Sequence, residues 1–249
     1  MSLAPTDTPL VRHPLRRARL RAGWIGLGVF LAMAAAFSAW PQLDLWVSGQ
    51  FRDASGAFVG DQQAWVRFLY RAVPIVGWLY FLGSLAAVGV GRLRPSAVPF
   101  RWRRRAASLL LVSALGSALI INGVLKEHWG RARPVQVSEF GGAKHFSPAL
   151  WPSDQCTHNC SFVSGHAASG FVLMAVGLMG PAAVRRRWLG IGLALGALAS
   201  LARVMQGGHF LSDTLFSGWA LWATGWVVRE AWLRRVARRR RQARGQAGS

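Results

Sequence analysis

Three short clusters of charged and polar residues stand out in an otherwise apolar chain. In the first, "LKEHWGRARP" at 125–134, Lys126 and Arg133 are seven residues apart, which is nearly two turns if a helix continues through them. A converging ammonium and guanidinium suit a phosphate, because one supplies a point charge and the other a planar fork of donors. The alternative interpretation is a pair of basic side chains that extend from a helix end toward water.

The second cluster, "SFVSGHAASG" at 161–170, lies at the mouth of an apolar segment. Ser164 is a candidate N-cap, whose hydroxyl accepts a backbone N–H of the first turn. Gly165 has no side chain to obstruct a ligand, so the free N–H groups and the helix dipole would form an anion site. His166 could then give a proton to the bound group. A capped helix with an interfacial histidine remains the alternative.

The third cluster, "ARVMQGGHFLSD" at 202–213, contains a histidine and an aspartate four residues apart. On a helix His209 and Asp213 would share one face. The carboxylate would accept the Nδ1–H and leave Nε2 as a nucleophile or base. Arg203 adds a cation beside the flexible Gly207-Gly208 pair. The alternative is a structural His–Asp pair that joins two helices.

Together the three clusters contain the groups that phosphoryl transfer through a phosphohistidine requires. Three cations (Lys126, Arg133 and Arg203) would stabilise the charge on the phosphoryl oxygens. His209 would attack phosphorus, and His166 would protonate the leaving oxygen. Water activated by His166 would then release phosphate.

The order Lys-x6-Arg-Pro, Ser-Gly-His, Arg-x5-His-x3-Asp resembles the type 2 phosphatidic acid phosphatase superfamily. That superfamily includes membrane lipid phosphatases, glucose-6-phosphatase, bacterial acid phosphatases and vanadium haloperoxidases, and the similar stretch runs from Lys126 to Asp213. The resemblance implies a hydrolase that needs no metal or other cofactor. It assigns catalysis to His209, His166 and Asp213, and phosphate binding to Lys126, Arg133, Ser164, Gly165 and Arg203.

Two positions depart from the family pattern. Val163 stands where the family commonly has proline before Ser-Gly-His, and Ala202 stands where it commonly has serine before the arginine. The missing hydroxyl removes one hydrogen bond near the phosphate, typically worth about 0.5–1.5 kcal/mol. Neither change removes a charge or a histidine that the chemistry requires.

Six apolar blocks must position these clusters, and each approaches the ~20 residues that cross a bilayer as a helix. The sequence therefore predicts an all-α bundle of six transmembrane helices. The membrane domain would span 22–228, between a basic segment at 1–21 and a basic tail at 229–249. The predicted spans are Ala22–Trp40, Val73–Val90, Ala106–Leu125, His166–Val184, Leu189–Met205 and Phe210–Val228. The first block is long and lacks a clear cleavage site, so we expect it to remain as a helix.

The charge pattern predicts the orientation of the bundle. The net charge is +21, and the basic clusters precede the first span, separate the second from the third and the fourth from the fifth, and follow the sixth. The positive-inside rule makes those segments cytoplasmic. Both termini would be cytoplasmic and the active site would face the periplasm from a bacterial inner membrane. Basic runs beside spans are topogenic or bind anionic lipid, so nucleic acid is not the expected partner.

The chain has two cysteines, Cys156 and Cys160, in the outer loop before Ser164. An oxidising compartment favours a disulfide between them. The alternatives are two free thiols, or a metal site that includes His158, which would be an incomplete zinc site.

A site at the membrane surface predicts a lipid phosphate as substrate. Residues 139–162 resemble loops of bacterial lipid A phosphatases, and extra positive charge nearby suits a headgroup with several phosphates. Undecaprenyl pyrophosphate, phosphatidylglycerophosphate and phosphatidic acid stay open as substrates. Phosphotransfer between lipids and a small transporter are the competing functions, and the sequence does not predict the oligomeric state. The extra basic residues are His128, Arg131, Lys144 and His145.

Overall fold

The computed structural model describes the backbone of residues 12–246 and the side chains of 20–243 and 246. The outermost parts of the two predicted basic segments, residues 1–11 and 247–249, lie outside the described residues. Within 12–246 the chain forms helices joined by loops, with two isolated β-bridges and no strand. The predicted all-α class is therefore confirmed.

Seven helices longer than one turn lie between residues 12 and 246. They are α1 (Arg12–Ala39), α2 (Gln42–Gly49), α3 (Ala64–Leu93), α4 (Phe100–His128), α5 (Gly165–Gly177), α6 (Ala182–Met205) and α7 (Leu211–Gln246). Helix α4 is π-helical from Ser113 to Leu125, and α5 tightens to a 3₁₀-helix from Val172. A 3₁₀ turn at Val59–Gln62 precedes α3, and two more, Pro134–Gln136 and Ser138–Phe140, lie in the long α4–α5 loop.

Four helices are long and apolar enough to cross a membrane: α1 from Leu20 onward, α3, α4 and α6. Large apolar side chains on α3 are exposed, among them Trp78 and Leu79, each 64% exposed. Such a surface is expected where a helix faces lipid. Four of the six predicted spans thus coincide with helices that could cross a membrane, and Pro74 is accommodated inside α3.

The predicted fourth span, His166–Val184, ends too late. Helix α5 stops at Gly177, and its 13 residues reach about 20 Å along the axis. Pro181 then begins a new helix as the N-cap of α6, since proline suits a helix start and disfavours continuation from the residue before it. The basic run Arg185–Arg187 accordingly lies within the first turns of α6, which begins earlier than the predicted Leu189.

The predicted sixth span corresponds to α7, which is too polar to count as a span by composition. Its polar residues near the start, including Ser212, Asp213 and Ser217, are fully buried. Trp219 packs on Phe30 of α1, with ring centroids 4.6 Å apart. Where a helix packs against protein in this way, it does not need an apolar face toward lipid. Helix α7 also continues without a break through the predicted 228/229 boundary.

Helices α5 and α6 approach each other through glycines. A Cβ on Gly170 would lie 2.6 Å from the backbone N of Gly196, and a Cβ on Gly196 would lie 2.2 Å from the ring of Phe171. Backbone atoms cannot move aside as a flexible side chain can. The close crossing holds the start of α5, which carries the second cluster, against the end of α6, which carries Arg203.

We expect Gly170→Ala to destabilise the protein by about 1–3 kcal/mol, as overpacking of a well-packed interior does. The measurement is thermal unfolding of the purified protein in detergent. Gly190→Ala is the matched control, because a Cβ at Gly190 of α6 meets nothing within 4 Å. Equal melting temperatures for the two variants would contradict this view of the crossing.

Candidate active site

The first cluster does not form the continuous helix that its spacing suggested. Helix α4 ends at His128, and Arg133 lies in extended backbone with φ −83° and ψ 156°. The two cations are nevertheless brought together by a third residue. Lys126 Nζ donates to Asn159 Oδ1 at 2.7 Å, and Arg133 Nη2 donates to the Asn159 carbonyl at 2.9 Å. The loop that contains Asn159 brings the two cations together, because helix α4 has already ended before Arg133 and Pro134.

Ser164 is the N-cap of α5, as its position predicts. Its Oγ accepts the N–H of Ala167 at 3.3 Å, and its backbone N–H donates to the carbonyl of Asp213 at 3.1 Å. Ser217 Oγ donates to the Ser164 carbonyl at 2.7 Å. These bonds fix the start of α5 against the first turns of α7. Gly165 follows in the first turn, where a Cβ would lie 2.9 Å from Asn122 Oδ1 on α4.

His166 lies against Tyr70 of α3. The two rings are stacked with centroids 5.1 Å apart and planes 6° from parallel. The Nε2 atom of His166 is 3.2 Å from the Tyr70 carbonyl, which can only accept, so Nε2 carries a hydrogen in this arrangement. The guanidinium of Arg203 lies 4.8 Å from the centroid of the Tyr70 ring. Tyr70 therefore holds both a histidine and a cation of the site.

His209 precedes α7, so the predicted shared helix face with Asp213 is wrong. Its Nδ1 lies 2.7 Å from the carbonyl of Ser161 and 3.7 Å from Asp213 Oδ2. The first distance is a hydrogen bond and the second is too long for one. Ser161, and not Asp213, therefore accepts the Nδ1–H. The predicted consequence still holds, because a hydrogen on Nδ1 leaves the lone pair on Nε2.

The Asp213 carboxylate does not reach Nδ1 because other donors occupy it. Phe210 N–H donates to Oδ2 at 2.8 Å, Ser161 Oγ donates to Oδ2 at 2.5 Å, and Arg131 Nη1 donates to Oδ1 at 2.5 Å. The sequence interpretation of Arg131 as extra positive charge for a headgroup is wrong. Its side chain is fully buried and also pairs with Asp44 at 2.8 Å.

The predicted phosphate-binding cations lie close enough to both histidines for their charges to act on the rings. Lys126, Arg133 and Arg203 all act electrostatically on His166, and Lys126 and Arg203 act on His209. Arg203 Nη1 donates to Gln206 Oε1, while its buried Nε has no partner among the described residues. A Cβ on Gly208 would lie 2.2 Å from the Arg203 guanidinium. That glycine thus makes room for the cation.

Two cavities adjoin the cluster. One of about 460 Å³ lies between α3, the π-helical part of α4 and α5, and it includes Lys126, Gly165 and His166. Its other walls include apolar Pro74, Trp78 and Phe81 of α3, with Ser113, Ser117 and Asn122 of α4. The second cavity, of about 370 Å³, includes Arg67, Arg71, Arg133 and Arg203. The cluster therefore lies between an apolar groove and a basic pocket.

The cysteines form a disulfide in the structure, with Cα atoms 5.6 Å apart. The ring of His158 pairs with the carboxylate of Glu127. In the described part of the chain no three His, Cys, Asp or Glu side chains are grouped as metal ligands. The walls of the two cavities include neither Lys144 nor His145, nor His128, the other residues expected to add positive charge.

Residues 107–237 match the model of the PAP2 superfamily. The chain belongs to the PAP2 superfamily. The similarity drawn from the three clusters is confirmed.

Two bacterial relatives extend the comparison. The chain is 35% identical over 217 residues to Lipid A 4'-phosphatase of Francisella tularensis subsp. novicida (strain U112), covering 80% of this chain and 93% of that protein. It is 44% identical over 105 residues to Lipid A 4'-phosphatase of Rhizobium leguminosarum, covering 42% of this chain and 45% of that protein. No solved structure matches the chain.

Several residues of this PAP2 site were not anticipated from the sequence. Asn159 and Ser161 act through a carbonyl or an amide oxygen, which no spacing rule identifies. Tyr70 comes from a helix outside the motif-bearing stretch. The sequence contains one signal for Asp44, which is an acidic residue only four positions after the first predicted span. A carboxylate beside the membrane is commonly paired.

Burial lowers the pKa of His209 to about 3, opposed by Asp213 and reinforced by the charges of Arg203 and Lys126. The unfolded chain therefore takes up a proton near pH 6.5, whereas the folded protein does not. The stability that comes from this group is present above that pH and is lost as pH falls toward 3.

We expect acidification from pH 7.5 to pH 5 to lower the unfolding free energy of the wild type by about 2 kcal/mol more than that of His209→Gln. Melting temperatures in detergent at the two pH values measure the difference. His145→Gln, which changes an exposed histidine, is the control. An equal pH effect on wild type and His209→Gln would contradict a buried, neutral His209.

Proposed function

We propose that this protein is a lipid phosphatase that removes a phosphate from the sugar headgroup of lipid A, at the 4' position. The observation that carries the proposal is the meeting of Lys126, Arg133, Arg203 and His166 between an apolar groove and a basic pocket, with His209 buried beside them. Such an arrangement suits a phosphate at the boundary between acyl chains and a polar headgroup.

The two cavities support a lipid with a large, multiply charged headgroup. The groove beside His166 has walls of α3 and α4 side chains that suit acyl chains. Arg67 and Arg71 extend the positive charge of the opposite pocket beyond the cations of the cluster. A second phosphate on the same headgroup would find its counterions there. The similarity to Lipid A 4'-phosphatase over 80% of the chain supports the same substrate class.

In the first step, His209 Nε2 attacks phosphorus with its lone pair. A nitrogen–phosphorus bond forms as the bond from phosphorus to the sugar oxygen breaks. The three cations stabilise the equatorial oxygens, and the free N–H groups at the start of α5 donate to them. His166 gives its proton to the leaving sugar oxygen. Because Nε2–H of His166 bonds the Tyr70 carbonyl, the transferred proton is the second one, on Nδ1, and His166 enters this step as the imidazolium.

In the second step, water replaces histidine on phosphorus. His166, now neutral, takes a proton from water as the water oxygen bonds to phosphorus. The bond from His209 Nε2 to phosphorus breaks, inorganic phosphate leaves, and His166 regains the charge that it needs for the next turnover.

Ser161 and Asp213 act through His209. The Ser161 carbonyl holds the Nδ1–H at 2.7 Å, which fixes the tautomer and the ring direction. Asp213 fixes Ser161 through its hydroxyl, and its negative charge 3.7 Å from Nδ1 stabilises the imidazolium of the phosphorylated ring. Asp213 is thus a positioning and electrostatic partner of the nucleophile.

We also propose that α5 and α7 complete a six-crossing membrane domain at 22–228, with 1–21 and 229–249 cytoplasmic and the site toward the periplasm. The ends of α4 and α6 and the starts of α5 and α7 carry the site, as alternate crossings require. The arginines that follow the last crossing support the orientation. Labelling of Arg241→Cys by a membrane-impermeant maleimide in sealed spheroplasts would contradict it, since both native cysteines are in a disulfide.

The test is phosphate release by purified protein in detergent with a chelator present. The panel contains lipid A, undecaprenyl pyrophosphate, phosphatidylglycerophosphate and phosphatidic acid, and mass spectrometry locates the phosphate lost. We expect release from the 4' position of lipid A, with kcat at least about 1,000-fold lower in His209→Gln. His145→Gln should retain wild-type activity.

Faster release from another lipid of the panel would replace the proposed substrate and keep the chemistry. Loss of phosphate from the other end of the lipid A sugar would contradict the 4' assignment. Transfer of the phosphate to a lipid hydroxyl would identify a phosphotransferase. No reaction of folded protein with any lipid would contradict the phosphatase and favour a transporter.

A further inference from the structure

A five-residue disulfide loop lies directly beside the predicted phosphate site. The bond between Cys156 and Cys160 closes a ring that contains Thr157, His158 and Asn159. Asn159 has φ +50°, in the left-handed region that asparagine adopts more readily than most residues. The ring thus presents both the side chain and the carbonyl of Asn159 in one fixed arrangement.

Asn159 contacts the two cations of the first cluster and bridges them. Its Oδ1 accepts from Lys126 Nζ at 2.7 Å, and its carbonyl accepts from Arg133 Nη2 at 2.9 Å. The Lys126 side chain is buried and the Arg133 side chain is half-buried. Two like charges that are partly removed from water repel each other and lose hydration. A pair of oxygen acceptors between them offsets both effects.

The acceptors are neutral, and this property matters for phosphate binding. A carboxylate in the same place would compete with phosphate for the cations. An ammonium has three donors and a guanidinium has five, and Asn159 uses one of each. The remaining donors stay available to the phosphate oxygens. The contacts therefore fix the cations without occupying their capacity to bind an anion.

The loop is anchored to the segment that it serves. The backbone N–H of Cys160 donates to the carbonyl of Lys126 at 3.0 Å, and that of Ser161 donates to the carbonyl of Arg131 at 2.9 Å. The ring of His158 pairs with Glu127, the neighbour of Lys126. The end of α4 and the disulfide loop consequently form one unit, which continues into the Ser161 carbonyl that holds His209.

We propose that Asn159 is a positioning residue that sets the separation of Lys126 and Arg133 for phosphate, and that the Cys156–Cys160 disulfide holds it in place. The inference rests on the proposed function. It goes beyond that function by making phosphate affinity depend on a residue that contacts neither substrate nor nucleophile, and on the oxidation state of the loop.

The first measurement is the dissociation constant of inorganic phosphate by calorimetry, together with kcat and KM for the lipid substrate. We expect Asn159→Gly to weaken phosphate binding about tenfold and to raise KM, because it removes the acceptor from Lys126. Glycine tolerates the positive φ, so the backbone and its carbonyl are kept. Thr157→Gly adds the same flexibility elsewhere in the ring and should leave both constants unchanged.

Asn159→Asp tests whether the two cations that Asn159 bridges are the ones that bind phosphate. Aspartate keeps the geometry and adds a charge between the cations. If Lys126 and Arg133 do not bind the phosphate, this variant should bind phosphate as the wild type does. If the two cations do bind it, the carboxylate competes with phosphate, and we expect affinity to fall at least as far as in Asn159→Gly.

Reduction tests the disulfide. Dithiothreitol would convert Cys156 and Cys160 to thiols while it becomes a cyclic disulfide, and we expect a several-fold loss of phosphate affinity. The Cys156→Ser, Cys160→Ser double variant should show the same loss and no further response to dithiothreitol. Reduction of Asn159→Gly should add little, since the residue that the ring positions is already gone.

Wild-type affinity in both Asn159 variants would overturn the role of Asn159. Unchanged affinity on reduction would overturn the role of the disulfide. Failure of the proposed function is distinguishable from both, because it is read from lipid turnover by the oxidised wild type. Phosphate binding by calorimetry does not depend on the identity of the lipid.

Discussion

The burial of Arg131 between two carboxylates is the constraint on which the rest of the site depends. The guanidinium is fully buried, 2.8 Å from Asp44 and 2.5 Å from Asp213. Burial alone would lower the pKa of Arg131, but Asp213 and Asp44 outweigh it and raise the pKa. Removing one partner of such a group costs about 3–5 kcal/mol, because it leaves an unpaired charge in the interior. The interaction joins α2, the α4–α5 loop and α7. Through Asp213 it fixes Ser161, and through Ser161 it fixes the ring of His209.

The structure also explains how a polar site can lie at one end of an apolar helix bundle. The outer helices present tryptophan and leucine outward, whereas the first turns of α7 bury their serines and aspartate against the rest of the protein. The π-helical stretch of α4 places Ser113, Ser117 and Asn122 along the groove that leads to His166, and irregular helices of this kind commonly occur at functional sites. A lipid could present its phosphate at the cluster while its acyl chains remain in an apolar environment.

Local sequence predicts most of the helices and the cap at Ser164, and it singles out the cations and histidines that the structure brings together. A serine before an apolar run is a local signal, and so are long apolar blocks. Local pattern does not distinguish the two arginines of "GRARP", although Arg131 is a buried structural ion and Arg133 lies at the site. The prediction that Asp213 accepts the Nδ1–H of His209 is wrong for the same reason, since a backbone carbonyl 48 residues away accepts it. The burial of Ser212, Asp213 and Ser217 in the first turns of α7 is likewise not visible in hydropathy. Tertiary contacts decide each of these points.

The most direct measurement is to trap the covalent intermediate. Protein is mixed with lipid substrate, quenched in alkali, where phosphohistidine survives, and digested for mass spectrometry. Phosphate should be found on His209 and be absent from the same peptide of His209→Gln. Phosphate on His166, or steady turnover with no phosphohistidine at any time after mixing, would contradict nucleophilic attack by His209.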